Sequence, residues 1–135
     1  MIMRIKTSAD IEEKLSELDK KIKLSSKAAL MRIAIACSVR EAGDPRIENG
    51  VKTTYESRSQ GGADYQRFTI FGQNEEIYKL LMTQNLGREI SDEEFFPDLT
   101  NAHIRRGIRY MHSEYLYTDN RDKFFENLIN LSNNK

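Results

Sequence analysis

The most constraining feature of this 135-residue chain is how little separates its first two helical patterns. Ile11, Leu15, Leu18 and Ile22 recur at spacings of 4, 3 and 4. That spacing puts one apolar stripe on a helix over about 9–23, with Glu13, Lys14, Glu17, Lys20 and Lys21 on the opposite face. Thr7 or Ser8 offers the N-cap, and Asp10, Glu12 and Glu13 favour the positive helix end. Lys27 to Ala42 reads as a second helix, burying Leu30, Ile33, Ala34, Cys37 and Val39 and stopped by Gly43 and Asp44-Pro45. Only two or three residues lie between them, so the two form a tight helix-turn-helix pair. Arg4-Ile5-Lys6-Thr7, just upstream, alternates polar and apolar as a short strand does.

A strand followed by two helices is the ribbon-helix-helix plan, in which two chains pair their strands. An unpaired strand is an open edge, so the plan predicts a chain that is at least dimeric. The remainder reads as mainly helical. A loop over 46–64 carries a hairpin signal at Asn49-Gly50. Tyr65–Phe71 reads as a strand or extended segment closed by Gly72. A third helix over about 75–86, capped by Asn74 and ended by Gly87, turns Ile77, Leu80 and Leu81 inward. An acidic connector covers 88–98. A fourth helix from about Leu99 to Tyr115 has its stripe at Leu99, Ile104, Ile108, Met111 and Tyr115. A last helix over about 120–131 precedes a polar end. The predicted class is therefore mainly α, with a ribbon-helix-helix-like start, about three further helices and a short extended segment. The domain spans 1–118, followed by a C-terminal helix and tail over 119–135.

Charge is more informative by position than in total. Net charge is zero, yet residues 1–40 hold nine Lys/Arg against five Asp/Glu, a net of +4. Residues 73–98 hold two against seven, a net of −5. Such a chain can present one positive face, and its acidic segment can attract a basic partner. No apolar run approaches the ~18 residues a membrane span needs, and the N-terminus lacks the apolar core of a signal peptide. A single cysteine, Cys37, forms no internal disulfide, so a reducing cytoplasm fits best.

The strongest chemical feature is the junction between the first two helices. Lys20, Lys21, Lys23 and Lys27 fall within eight residues, around Ser25 and Ser26 at a helix N-terminus, with Lys14 further up the first helix. Ammonium groups, hydroxyls and free amides together make a phosphate clamp that reads no base. None of the twelve aromatics precedes Tyr55, so this end has no stacking platform for single strands, and duplex phosphate is the better ligand. Arg105, Arg106 and Arg109 form a second basic cluster that either grips phosphate or, the favoured reading, pairs with the acidic 88–98 stretch.

Catalytic candidates are thin. His103 and His112, nine apart on one helix, face opposite ways and cannot share a metal. Asp92, Glu93 and Glu94 are adjacent carboxylates in a connector, and Cys37 sits within an apolar helix. Tyr110, Tyr115 and Tyr117 are potential nucleophiles with no histidine cluster beside them. No metal site and no cofactor motif stands out.

Three segments in order carry a resemblance. They are Arg4-Ile5-Lys6-Thr7-Ser8 with Leu24-Ser25-Ser26 leading into Leu30-Met31-Arg32-Ile33-Ala34, then Tyr65-Gln66-Arg67-Phe68-Thr69-Ile70-Phe71-Gly72, then His103-Ile104-Arg105-Arg106-Gly107-Ile108-Arg109-Tyr110. Together they resemble DndE, the small subunit of the DNA phosphorothioation (DNA sulfur modification) system. The resemblance implies a helical homo-oligomer, dimer or tetramer, that binds duplex or nicked DNA through surface lysines. It implies partners: a cysteine desulfurase, an iron–sulfur sulfur-transfer protein and an ATPase. Two alternatives stand beside it. One is a metal-dependent DNA nickase of the same pathway; the other is a ribbon-helix-helix repressor reading bases through Arg4 and Lys6.

Overall fold

A computed structural model describes every residue except Ser25, Asp119, Asn134 and Lys135, and the backbone alone of Arg121 and of 131–133. Strand β1 (Arg4–Ser8) leads directly into α1 (Ala9–Ile22), and α2 (Lys27–Ser38) follows. The stripe Ile11, Leu15, Leu18 and Ile22 is fully buried, as its spacing requires. Helix α1 ends at Lys23, whose left-handed φ of 58° turns the chain. Helix α2 is shorter than its pattern predicts, with Val39 as its C-cap rather than Gly43. Ala28, Leu30, Met31, Ala34 and Ile35 face the core, while Ile33, Cys37 and Val39 are only half-buried.

The strand departs from the two-chain ribbon plan. β1 pairs antiparallel with β4 (Gly61–Gln66) of the same chain, with Ile5 opposite Tyr65 and Lys6 opposite Asp64. Its other edge is closed at Lys6 by side chains. The Lys6 N–H donates to the Tyr55 hydroxyl at 2.8 Å, and the Lys6 carbonyl accepts from Asn101 Nδ2 at 2.8 Å. An edge whose groups are already satisfied is a poor template for a second chain. The ribbon is therefore intramolecular, and the repressor reading loses its basis.

Between α2 and β4, strands β2 (Ile47–Glu48) and β3 (Val51–Lys52) form the hairpin that Asn49-Gly50 signals. Both turn residues have positive φ, 53° and 78°, which suits a tight two-residue turn. The extended segment stops earlier than predicted. Strand β4 ends at Gln66, and Arg67–Phe71 forms a short helix, α3, because Arg67 turns inward onto carboxylates.

Helix α4 (Glu75–Leu86) has the predicted bounds and the opposite face. Met82 is buried and Tyr78 packs on the core, while Ile77 and Leu80 are 58% and 57% exposed. The connector is not a solvated linker. Glu94–Leu99 makes a kinked, wide helical turn that buries Phe95, Phe96 and Leu99, with Phe71 stacked on Phe95. Helix α5 (Thr100–Thr118) crosses α2 at the centre of the molecule, and α6 (Arg121–Asn133) packs on it through Phe124 and Tyr115. Gly107 sets the α2–α5 approach: a Cβ there would lie 2.0 Å from the Ala34 carbonyl oxygen, so only glycine fits.

Candidate nucleic-acid interface

The lysine cluster divides when its side chains are placed. Lys20, Lys21 and Lys23 lie at the exposed end of α1 and, among the described residues, form no ion pair. Lys14 is half-buried on the same helix, also without an ion pair among the described residues. Lys27 is different: its Nζ lies 3.0 Å from Glu12 and 3.2 Å from Ser16, tying α2 to α1. Glu12 also accepts from the Tyr65 hydroxyl at 2.7 Å and from Thr7 at 2.9 Å. Burial pushes the Glu12 carboxyl up, but the hydrogen bonds from Tyr65, Lys27 and Thr7 outweigh it and hold the pKa below the usual range. Lys27 therefore belongs to the frame, not to an open clamp.

The amide end of α2 is also less open than its pattern predicts. Ser26 Oγ accepts the Ala29 N–H at 3.2 Å, an ordinary N-cap. Ser25 lies outside the described residues. What remains on the surface is a group of three ammonium ions on flexible stems, suited to phosphate as point charges.

The second basic cluster is fully engaged, though not by the predicted stretch. Arg105 donates to Glu48 at 2.8 Å and to Ser8 Oγ at 2.8 Å, with Asp10 at 3.5 Å. Arg109 lies 3.1 Å from Glu48 and 3.6 Å from Asp10. Arg106 donates to the carbonyls of Ser38, Glu41 and Gly43 and faces the Glu41 carboxylate at 3.7 Å. Burial raises the Glu48 carboxyl, but hydrogen bonds from Arg105 and Arg109 bring its pKa below the ordinary value. The partners are thus the hairpin and the start of α1, not residues 88–98. Ser8 occupies the N-cap position of α1, but its hydroxyl goes to Asp10 instead of a helix amide.

The acidic stretch has a different use, one the sequence reading missed. Arg46, Arg58 and Arg67 are 4%, 2% and 2% exposed, and the carboxylates of 92–98 neutralise them. Arg67 forks onto Glu75 at 2.5 Å and Asp92 at 2.6 Å, with its guanidinium 4.8 Å from the Phe96 ring centroid. Arg46 is held by Asp44 at 2.7 Å, Glu94 at 3.0 Å and Asp98 at 3.2 Å. Arg58 pairs with Asp98 and donates to Asn101 Oδ1 at 2.9 Å. Hydrogen bonds from Arg88 and then Arg46 pull the Glu94 pKa down to about 2. No pattern of spacing marks these arginines; only their position between carboxylate-bearing elements does. Among the described residues, no group of three or more His, Cys, Asp or Glu side chains is placed to hold a metal ion.

His103 is wholly buried, and its Nδ1 lies 2.8 Å from Ser38 Oγ. Ser38 Oγ also accepts from Arg106 Nε at 2.9 Å, and His103 Nε2 is buried with no partner among the described residues. Burial, with the Arg106 charge nearby, pushes this imidazole down to about 3. His112 instead meets Glu17 on the surface at 2.7 Å. The two histidines serve separate structural contacts. Burial raises the Cys37 thiol, which suits its place against the core.

Fold and site together define a small helical protein with an internal two-stranded ribbon and a solvent-facing lysine cluster where its first two helices meet. The family model described as DNA sulphur modification protein DndE matches residues 4–118, and the chain belongs to the DndE family. The fold is similar to that of the crystal structure of DndE from Escherichia coli B7A, involved in DNA phosphorothioation modification. The TM-score is 0.62 at 16% sequence identity, over 82% of this chain and 97% of that one. No curated protein sequence matches this chain. Among the described residues, no helix is long and apolar enough to cross a membrane.

Proposed function

We propose that this chain is an oligomeric DNA-binding subunit of the phosphorothioation machinery. It holds duplex or nicked DNA by lysine–phosphate contacts while partner proteins carry out the sulfur transfer. One observation carries the reading: Lys20, Lys21 and Lys23 stand exposed together and, among the described residues, outside any ion pair, while the arginines at 46, 58, 67, 105, 106 and 109 are all neutralised by carboxylates. Lys14 extends the same helix as a supporting contact.

Binding of this kind releases counterions. The logarithm of affinity should fall with the logarithm of salt concentration at a slope of about −0.9 per phosphate neutralised. The test is a salt titration of duplex binding by the wild type and by Lys20→Glu/Lys21→Glu/Lys23→Glu. A steep wild-type slope that flattens in the triple variant supports the reading. A flat wild-type response sinks it. Incubating supercoiled plasmid with magnesium or manganese in parallel tests the nickase alternative, which requires relaxation that one carboxylate or tyrosine substitution abolishes.

A further inference from the structure

In chain order the first aromatic, Tyr55, comes well after the lysine cluster. The fold brings a different one back to it. Helices α1 and α5 pack side by side and run the same way. Asp10 meets Arg105 at 3.5 Å, and Glu17 meets His112 at 2.7 Å. Glu17 lies seven residues after Asp10, and His112 seven after Arg105, so the two helices advance in step. The same register holds before them, where Asn101 Nδ2 donates to the Lys6 carbonyl. About one turn beyond Glu17 and His112, Lys20, Lys21 and Lys23 on α1 are matched by residues 115–118 on α5. Both helices stop there, α1 at Ile22 and α5 at Thr118.

At this shared end Tyr115 packs against Phe124 of α6, whereas Tyr117 is 87% exposed and Leu116 beside it 64%. An aromatic ring held out in water next to three ammonium groups is suited to nucleic acid in a particular state. The ring face takes a base, and the cations take the flanking phosphates. A base inside a continuous duplex has both faces covered by its neighbours and offers the ring nothing. A base left unpaired at a gap in one strand can turn a face outward.

We propose that Tyr117 stacks on a base that has left the duplex stack while Lys20, Lys21 and Lys23 hold the phosphates beside it. The interface thereby favours an interrupted duplex with an unpaired base over a continuous one. The inference rests on the lysine reading above and adds what lysines cannot supply, since a point charge on phosphate does not tell a paired base from an unpaired one.

Anisotropy titrations of the full chain against two DNAs test it: a blunt duplex, and the same duplex with a central one-nucleotide gap. The ends are common to both, so the difference reports the gap. The wild type should bind the gapped duplex about tenfold more tightly. Tyr117→Ala, at an exposed position, should stay folded by circular dichroism and keep its salt slope, but lose the preference. Tyr117→Phe should retain it. With 2-aminopurine opposite the gap, emission should be lower in the wild-type complex than in the Tyr117→Ala complex. Equal wild-type affinities, a preference that survives Tyr117→Ala, a Tyr117→Phe variant that loses it, or equal emission in the two complexes each overturns the proposal. Salt titrations of the same samples separate the two readings. A steep wild-type slope without a gap preference counts against Tyr117 alone. A flat slope counts against the lysines, and a wild type that binds neither DNA sinks both.

Discussion

The arginines and the lysines of this protein carry the same charge and have opposite fates. Arg46, Arg58 and Arg67 lie inside, each held by carboxylates, with backbone oxygens added for Arg58 and Arg67. Lys20, Lys21 and Lys23 stay in water and, among the described residues, outside any ion pair. A guanidinium is planar, weakly hydrated and able to fork onto a carboxylate, so its desolvation is offset when the geometry is good. An ammonium is compact and strongly hydrated, and is better left at the surface. The comparison also explains the uneven charge along the chain. Within the acidic 73–98 stretch, Glu75, Asp92, Glu94 and Asp98 are turned onto internal arginines. With those charges neutralised, the lysine end of α1 is left as an exposed cationic cluster.

The sharpest way to break this contrast is to remove a buried fork. Arg67→Met leaves Glu75 and Asp92 facing each other without their cation, and should destabilise the fold by about 3–5 kcal/mol. The midpoint of denaturant unfolding measures it. A loss below about 1 kcal/mol would mean that the arginines are ornaments and that the contrast is empty.

On the other side, Lys20→Glu/Lys21→Glu/Lys23→Glu should weaken duplex binding about a hundredfold at moderate salt, or about 2.7 kcal/mol. Its folding stability should stay within about 0.5 kcal/mol of wild type. Neutral Lys→Ala changes at the same sites should each flatten the salt slope by about 0.9.

His103 sharpens the contrast through pH. Its folded pKa, about 3, lies below the unfolded value of 6.5, so the unfolded state takes up the proton first. The stability is fully present above pH 6.5 and is lost as pH falls toward 3. The window from 6.5 down to 4.5 precedes the carboxylates; Glu94, with a folded value near 2, gives up its share only below 4.5. Within that window the slope should approach about 1.4 kcal/mol per pH unit. It should vanish in His103→Gln, read from unfolding midpoints at successive pH values. An unchanged slope in that variant would assign the proton uptake to another group.

The smallest effect belongs to the one lysine that behaves like an arginine. Lys27→Met removes the contact to Glu12 and should cost about 1 kcal/mol, since the pair is only half-buried. Its duplex affinity should match wild type, in contrast to Lys23→Ala. If both lysines weaken DNA binding equally, Lys27 belongs with the clamp after all.

Much of the architecture was legible. Ile11, Leu15, Leu18 and Ile22 had to face one way because helical spacing allows nothing else, and Asn49-Gly50 had to turn because both residues tolerate positive φ. The face of α4 was not legible. Ile77, Leu80 and Leu81 are as apolar as the residues actually turned inward, Tyr78 and Met82, and only the position of the Phe95–Phe96 turn decided between them. The partner of β1 was equally hidden, because Gly61–Gln66 carries little strand propensity of its own. Lys27 looked identical to Lys23 in the sequence; Glu12, fifteen residues away, separates them.

Taken alone, the order of residues determined most of the helices, the tight hairpin turn and the positive character of the first forty residues, because these depend on neighbours within a turn or two. The tertiary structure decided which charges survive. Whether a cation is free depends on carboxylates brought to it from distant segments, such as Glu94 to Arg46 or Asp92 to Arg67. An ion pair reaches only a few ångströms, and those ångströms are set by packing, not by the chain between them.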